Sequence, residues 1–258
     1  MESRPVSATY QVVAREPAAS KEERIRRLGH AMGLWGKDFD YARTCRQVFR
    51  NFDLQGKTVL EIGGKGIFCL WAALRGAQEA IGLDHLSRDT EEDHAAFYAM
   101  TEEFALPQAR IAHGKVQEYH GPESVFDLVV SVSSINFLDE KSCIRLRESP
   151  LAVMAYEKIF RRVARMTRLG GKLVILDAAR HNFFGDLAFR NPASPYVEWF
   201  KHQQPEYWAG LLENCGFGRA NIRWAGGRFL RDLHIPYIPK SLAYFGQSIF
   251  RLEMTRVR

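Results

Sequence analysis

The residues with the clearest chemical potential lie in VLEIGGKG, where Glu61 stands near the end of an apolar run and Gly63, Gly64 and Gly66 follow it. Glycine has no Cβ and tolerates positive φ, so a turn built from it lets the backbone approach a ligand closely and forms the floor of a pocket. A carboxylate at that place can meet a cationic amine, and it repels the pyrophosphate that a dinucleotide brings to a helix N-terminus. Asp84 closes the next apolar run, EAIGLD. It comes about twenty residues later, at the spacing where a carboxylate accepts hydrogen bonds from ribose hydroxyls. His85 follows it and flanks the same place. Two further histidines, His181 just past the fifth apolar run and His202 in the segment EWFKHQQPEYW, are candidates for general-base work, to which histidine is suited. Around His202 lie Trp199, Tyr207 and Trp208, whose broad apolar faces and polar edges suit a ring, a sugar or a lipid headgroup. Each of these residues also has a plainer reading: a packing turn for the glycines, a cap for Asp84, surface positions for the histidines, core for about half of the aromatics.

Strands and helices must hold these side chains. Segments 58–63, 79–84, 109–116, the start of 126–138, and 172–178 read as short buried strands. Helical patterns fall between and after them, at 67–76, about 90–104, 151–168 and 205–217. Strands alternating with helices at this spacing predict right-handed crossovers and a parallel sheet with helices on both faces. NIRWAG and SIFRLEMTRV add strands six and seven, so the expectation is a Rossmann-like α/β fold with a seven-stranded, mostly parallel sheet. Residues 1–52 read as a loose extension followed by a helical cap, with Tyr41, Cys45, Val48 and Phe49 on its second helix. Residues 53–258 form the main domain, with aromatic acceptor-site segments at 181–204 and 226–247. The second segment is an insertion before the last strand, and it allows a lid shared with a second copy in a homodimer.

Composition bounds the partners. The 258 residues carry a net charge of +6 from 36 basic and 30 acidic residues, spread along the chain rather than gathered in a stripe, which speaks against a nucleic-acid partner. No window reaches the run of about 18 apolar residues that a membrane span needs, and the N-terminus has no apolar signal core, so the expected location is cytoplasmic. Cys45, Cys69, Cys143 and Cys215 form no CxxC pair, which predicts reduced thiols and no metal site.

In their order along the chain, VLEIGGKG, GLD, FDLVVSVSSINFL, RLGGKLVILDA and PEYWAGLLENCGF resemble the motifs of class I S-adenosylmethionine (SAM)-dependent methyltransferases, over roughly residues 55–220. The resemblance implies that Glu61, Gly63 and Gly64 line the methionine part of SAM, that Asp84 binds its ribose, that the Val116 backbone meets adenine, and that Ser131 lies beside the sulfonium. Three departures stand out. Lys65 and Ile67 occupy places where the family has glycines; Lys115 stands near its usual adenine-binding acid; and Asn136-Phe137 replaces the Glu-His pair of many small-molecule relatives. Asn136 is left to orient an acceptor hydroxyl or the cofactor.

The activity this implies is methyl transfer to a small molecule, a natural product, sugar or lipid intermediate, with oxygen as the expected target. An alcohol acceptor calls for a base, here His202 or His181. A nucleic-acid methyltransferase is the first rival, although SVSSIN stands where an Asn/Asp-Pro-Pro-aromatic tetrad belongs. A catalytically inert binding subunit of the same fold is the second. A nicotinamide oxidoreductase is opposed by the glycine spacing and by Glu61.

Overall fold

A computed structural model describes residues 20–31, 33, 40–84, 90–192, 194–195, 197–226 and 237–258. In chain order its strands and α-helices are α1 (Lys21–Ala31), α2 (Tyr41–Val48), β1 (Thr58–Ile62), α3 (Ile67–Leu74), β2 (Glu79–Asp84), α4 (Thr90–Glu103), β3 (Ala109–His113), β4 (Phe126–Val132), α5 (Glu140–Arg145), α6 (Pro150–Met166), β5 (Thr167–Ala178), α7 (Phe183–Asp186), α8 (Pro205–Asn214), β6 (Asn221–Ala225), β7 (Tyr237–Ile238), α9 (Lys240–Tyr244) and β8 (Ile249–Thr255).

The strands form one sheet in the order β3-β2-β1-β4-β5-β8-β6-β7. Pairing is parallel from β3 across to β5 and antiparallel from β5 through β8 and β6 to β7. Seven mostly parallel strands were expected; the sheet has eight, and its second half is joined by antiparallel ladders. The additional strand is the two-residue β7, too short to show an alternating pattern and located in the segment read as an insertion. β8 runs antiparallel because it closes the sheet between β5 and β6, where no parallel crossover leads into it.

Side chains alternate across the sheet, so Val129 of β4 faces one core and its neighbours Leu128 and Val130 face the other. The first core is filled from α6 and α8 by Tyr156, Phe160 and Trp208, the second from α2 and α3 by Tyr41, Cys45, Phe68 and Trp71. The starts of the helices follow local chemistry: Asp40 Oδ1 accepts from Arg43 N–H at α2, and Ser149 precedes Pro150 at α6. Helix α2 is fixed against the sheet by Arg251 of β8. This guanidinium, 3% exposed, donates to Gln47 O and Val48 O at the helix's C-terminal end, where a cation is favoured.

Candidate functional site

Strand β1 delivers Glu61 into the interior, 1% exposed. Gly66, at the N-cap of α3, has no side chain to cap it, and Glu61 does so instead: Phe68 N–H and Cys69 N–H donate to its Oε2 at 3.0 and 3.2 Å. Burial pushes the carboxyl up to about 7 against the opposing effect of those amides. Its Oε1 is buried without a hydrogen-bond partner among the described residues.

The glycines around it have φ of +74° at Gly63 and +78° at Gly66. A Cβ on Gly64 would collide with Glu61 Oε1, one on Gly63 would come within 2.8 Å of Ser134 Cβ, and one on Gly66 within 2.7 Å of Phe97. The turn therefore draws the chain's own side chains close.

Asp84, at the tip of β2, is 7% exposed. Its Oδ2 lies 3.0 Å from His94 Nε2, and the His94 ring packs on His113 at 4.7 Å between centroids. Val116 joins Ile62, Gly63, Lys115, Gln117 and Leu138 around a cavity of about 10 Å³, room for a water molecule. Ser131 Oγ pairs with Ser134 Oγ at 2.8 Å, and Ser134 donates onward to Ile62 O. His85 lies outside the described residues.

A far larger cavity, about 840 Å³, opens at the carboxyl ends of β4 and β5. Val132, Ser133, Leu176, Asp177 and Ala178 form its base, α2 contributes Arg43, Thr44 and Gln47, and Asn136, Lys201 and His202 stand on its walls. Asn136 is 1% exposed, and among the described residues neither Oδ1 nor Nδ2 has a hydrogen-bond partner. His202 is 9% exposed, with Nδ1 at 3.2 Å from Asp177 Oδ1. That nitrogen is within ion-pair distance, yet it is out of line for a hydrogen bond.

Other expected acceptor-side residues lie elsewhere. His181, about half exposed, is held between Asp186 Oδ1 (2.9 Å) and Arg147 Nη1 (3.2 Å) and does not line the cavity. Trp208 is 1% exposed and packs between Tyr156 and Phe160, which makes it core rather than an acceptor contact. Tyr207 spends its hydroxyl on Leu146 O at 2.8 Å, also away from the cavity. Trp199 lies beside His202 at 6.3 Å between ring centroids but is not among the lining residues. The residues missed from sequence are Asp177, His94, Lys201 and, on the expected helical cap, the individual residues Arg43, Thr44 and Gln47. Asp177 carried a usable signal, an acid closing an apolar strand as Asp84 does. His94 carried none, since only the folded α4 brings it to the tip of β2.

No family model and no curated protein matches the sequence. Solved structures do. A SAM-dependent methyltransferase from Aquifex aeolicus superposes with a TM-score of 0.55 at 14% identity, over 91% of this chain and 98% of that one. An S-adenosylmethionine-dependent methyltransferase from Mesorhizobium loti gives 0.56 at 16% identity, over 87% and 100%. Phosphoethanolamine N-methyltransferase 2 of Haemonchus contortus, in complex with S-adenosyl-L-methionine, gives 0.59 at 16% identity, over 93% of this chain and 61% of that one. At such identities the likeness is one of fold, and the fold is that of the SAM-dependent methyltransferases. Among the described residues no helix is long and apolar enough to cross a membrane, and no three His, Cys, Asp or Glu side chains gather as a metal site.

Proposed function

We propose that this chain transfers a methyl group from SAM to an uncharged small-molecule acceptor, at oxygen. The observation that carries the reading is the 840 Å³ cavity at the carboxyl ends of β4 and β5. It lies to one side of the switch point between β1 and β4, where open α/β sheets bind their ligands, and β4 borders both.

Glu61, the glycine turn, Asp84, Val116 and Ser131 do not line that cavity; they lie toward β1 and β2, and their chemistry fits SAM. The unpartnered Oε1 of Glu61 is an acceptor for the ammonium, next to the turn of Gly63, Gly64 and Gly66. Asp84, with one oxygen on His94, has the other to offer the ribose. Val116 takes the adenine side and Ser131 the sulfonium side. Adenine needs more room than the 10 Å³ beside Val116, so Lys115, Gln117 or Leu138 must shift on binding. SAM supplies a methyl group already activated by its sulfonium, so the protein's work is positioning, exclusion of water and care of the acceptor's proton. His202 is the base for that proton, and Asn136 holds the acceptor by its free amide.

The walls favour a neutral acceptor over a polyanion. Lys201 is bridged to Glu198 at 2.7 Å and Glu140 at 3.2 Å, and Arg43 donates to Gly226 O at 3.2 Å. Thr44, Gln47, Ser133, Asn136 and Ser194 supply neutral hydrogen-bonding groups, which suits a natural product, sugar or lipid intermediate rather than nucleic acid.

The test is calorimetry with SAM and S-adenosylhomocysteine, followed by methyl transfer from labelled SAM to a panel of alcohols. The reading requires binding of both nucleosides and a His202→Ala variant that binds them equally but turns over about 10²-fold more slowly or worse. A second reading, an inert binding subunit, draws on the self-packed glycine turn and the closed adenine side. Absence of binding by either nucleoside would favour it and overturn the first.

A further inference from the structure

We infer that Asp177 is a positioning residue for His202: it holds the Nδ1 edge of the ring, so that Nε2 is the nitrogen offered to the cavity. The inference rests on the methyl-transfer reading for its purpose but not for its geometry.

Asp177 is the last residue but one of β5, pinned in register opposite Phe250 of β8, and 3% exposed. Its Oδ1 accepts from Ala178 N–H at 2.6 Å, which fixes the rotamer, and its Oδ2 is buried without a partner among the described residues. A carboxylate so placed is costly unless a donor or a cation meets it. The neighbouring charges are otherwise engaged: Lys201 is bridged to Glu140 and Glu198, and Arg180 donates to Phe200 O at 3.0 Å. The Cys143 thiol, pushed up to about 12 by burial, stays neutral and adds no charge. Among the described residues the ring of His202, 3.2 Å away, is the group left to complement Asp177.

The residues on both sides of His202 are anchored to Cys143 of α5. Lys201 O accepts from Cys143 Sγ at 3.2 Å, and the fully buried Gln203 donates to Cys143 O at 2.8 Å while accepting from Arg147 Nε at 3.2 Å. With Nδ1 already 3.2 Å from Asp177 Oδ1, a turn of the ring that aims its N–H at the carboxylate completes the pairing we infer. That selects the tautomer with Nδ1 protonated and Nε2 free to accept a proton. In the reaction the acceptor oxygen bonds the methyl carbon as the C–S electron pair returns to sulfur, and the O–H proton passes to Nε2. The products are the methyl ether, S-adenosylhomocysteine and an imidazolium, whose charge Asp177 offsets until the proton leaves to water.

The test is nitrogen NMR of the histidine rings in the wild-type protein at high pH, assigned with His202→Gln, together with kinetics of Asp177→Asn and Asp177→Glu. The expected result is an Nδ1–H signature for His202 that is lost in Asp177→Asn. Asp177→Asn should lower kcat at least tenfold with little change in KM, and Asp177→Glu should recover part of the loss. An Nε2–H signature in the wild type, or an Asp177→Asn variant with unchanged tautomer and kcat, overturns the assignment. The tautomer is read without any substrate. A wild-type Nδ1–H signature in a chain that neither binds SAM nor transfers methyl groups therefore supports the pairing while overturning the methyl-transfer reading.

Discussion

Replacing Glu61 by Gln tests the interior of the β1 turn through its effect on stability. Burial raises this carboxyl from the ordinary 4.5 to about 7, so the folded state prefers it protonated. A group raised in this way contributes its full stability below pH 4.5 and loses it as pH climbs through about 7. At 1.36 kcal/mol per pH unit the whole displacement is worth about 3 kcal/mol, of which about 2.5 falls between pH 5 and pH 8. The carbonyl oxygen of Gln can still accept from the amides of Phe68 and Cys69, so the cap on α3 survives while the ionisation disappears. Urea unfolding of both proteins at pH 5, 6, 7 and 8 should show the stability difference moving by about 2 to 3 kcal/mol in favour of Glu61→Gln across that range. On the proposed reading the same coupling reaches SAM, because an ammonium beside Oε1 favours the carboxylate. Calorimetry in buffers of different ionisation heat should therefore record proton release when SAM binds the wild type near pH 7, and none in the variant. Parallel stability curves, within about 0.5 kcal/mol of each other, would refute the reasoning.

Three other substitutions probe the site. Asp84→Ala should weaken S-adenosylhomocysteine binding by about 1 to 3 kcal/mol in calorimetry, through lost ribose hydrogen bonds, and an unchanged Kd would remove Asp84 from the cofactor site. Asn136→Leu should make the free protein about 1 to 2 kcal/mol more stable by removing two unpaired buried polar atoms, while lowering kcat/KM for any acceptor found. A less stable and fully active variant would show that Asn136 serves packing. Gly66→Ala places a Cβ within 2.7 Å of Phe97 at a φ of +78°, and thermal or urea unfolding should show a loss of about 2 to 4 kcal/mol. A loss below about 0.5 kcal/mol would mean that the turn relaxes.

The strands that carry the site were legible because buried parallel strands are unbroken apolar runs. TVLEI, EAIGLD and FDLVVSV stand out on that ground. β7 was not legible, since two residues show no period, and the antiparallel placement of β8 depends on which edge of β5 was still open. Strand-tip logic singled out Glu61 and Asp84, which lie toward the ends of β1 and β2, and could have singled out Asp177. It did not show that Glu61 turns under the glycines to cap α3, because that contact belongs to the tertiary fold. The aromatic segment misled for a different reason. Counting rings does not say which face of a helix they occupy, and Trp208, Leu211, Leu212 and Cys215 lie at the helical spacing of one buried face. His202 was chosen by its place after the fifth strand; its partner and the anchoring of its neighbours are visible only in three dimensions.

The central claim is that SAM lies across the tips of β1 and β2 with its reactive end toward the 840 Å³ cavity. A crystal structure with S-adenosylhomocysteine bound tests it most directly. The ribose hydroxyls are expected on Asp84, the amino group beside Glu61 and the sulfur turned toward His202 and Asn136. A nucleoside bound elsewhere, or a sulfur facing away from that cavity, would contradict it.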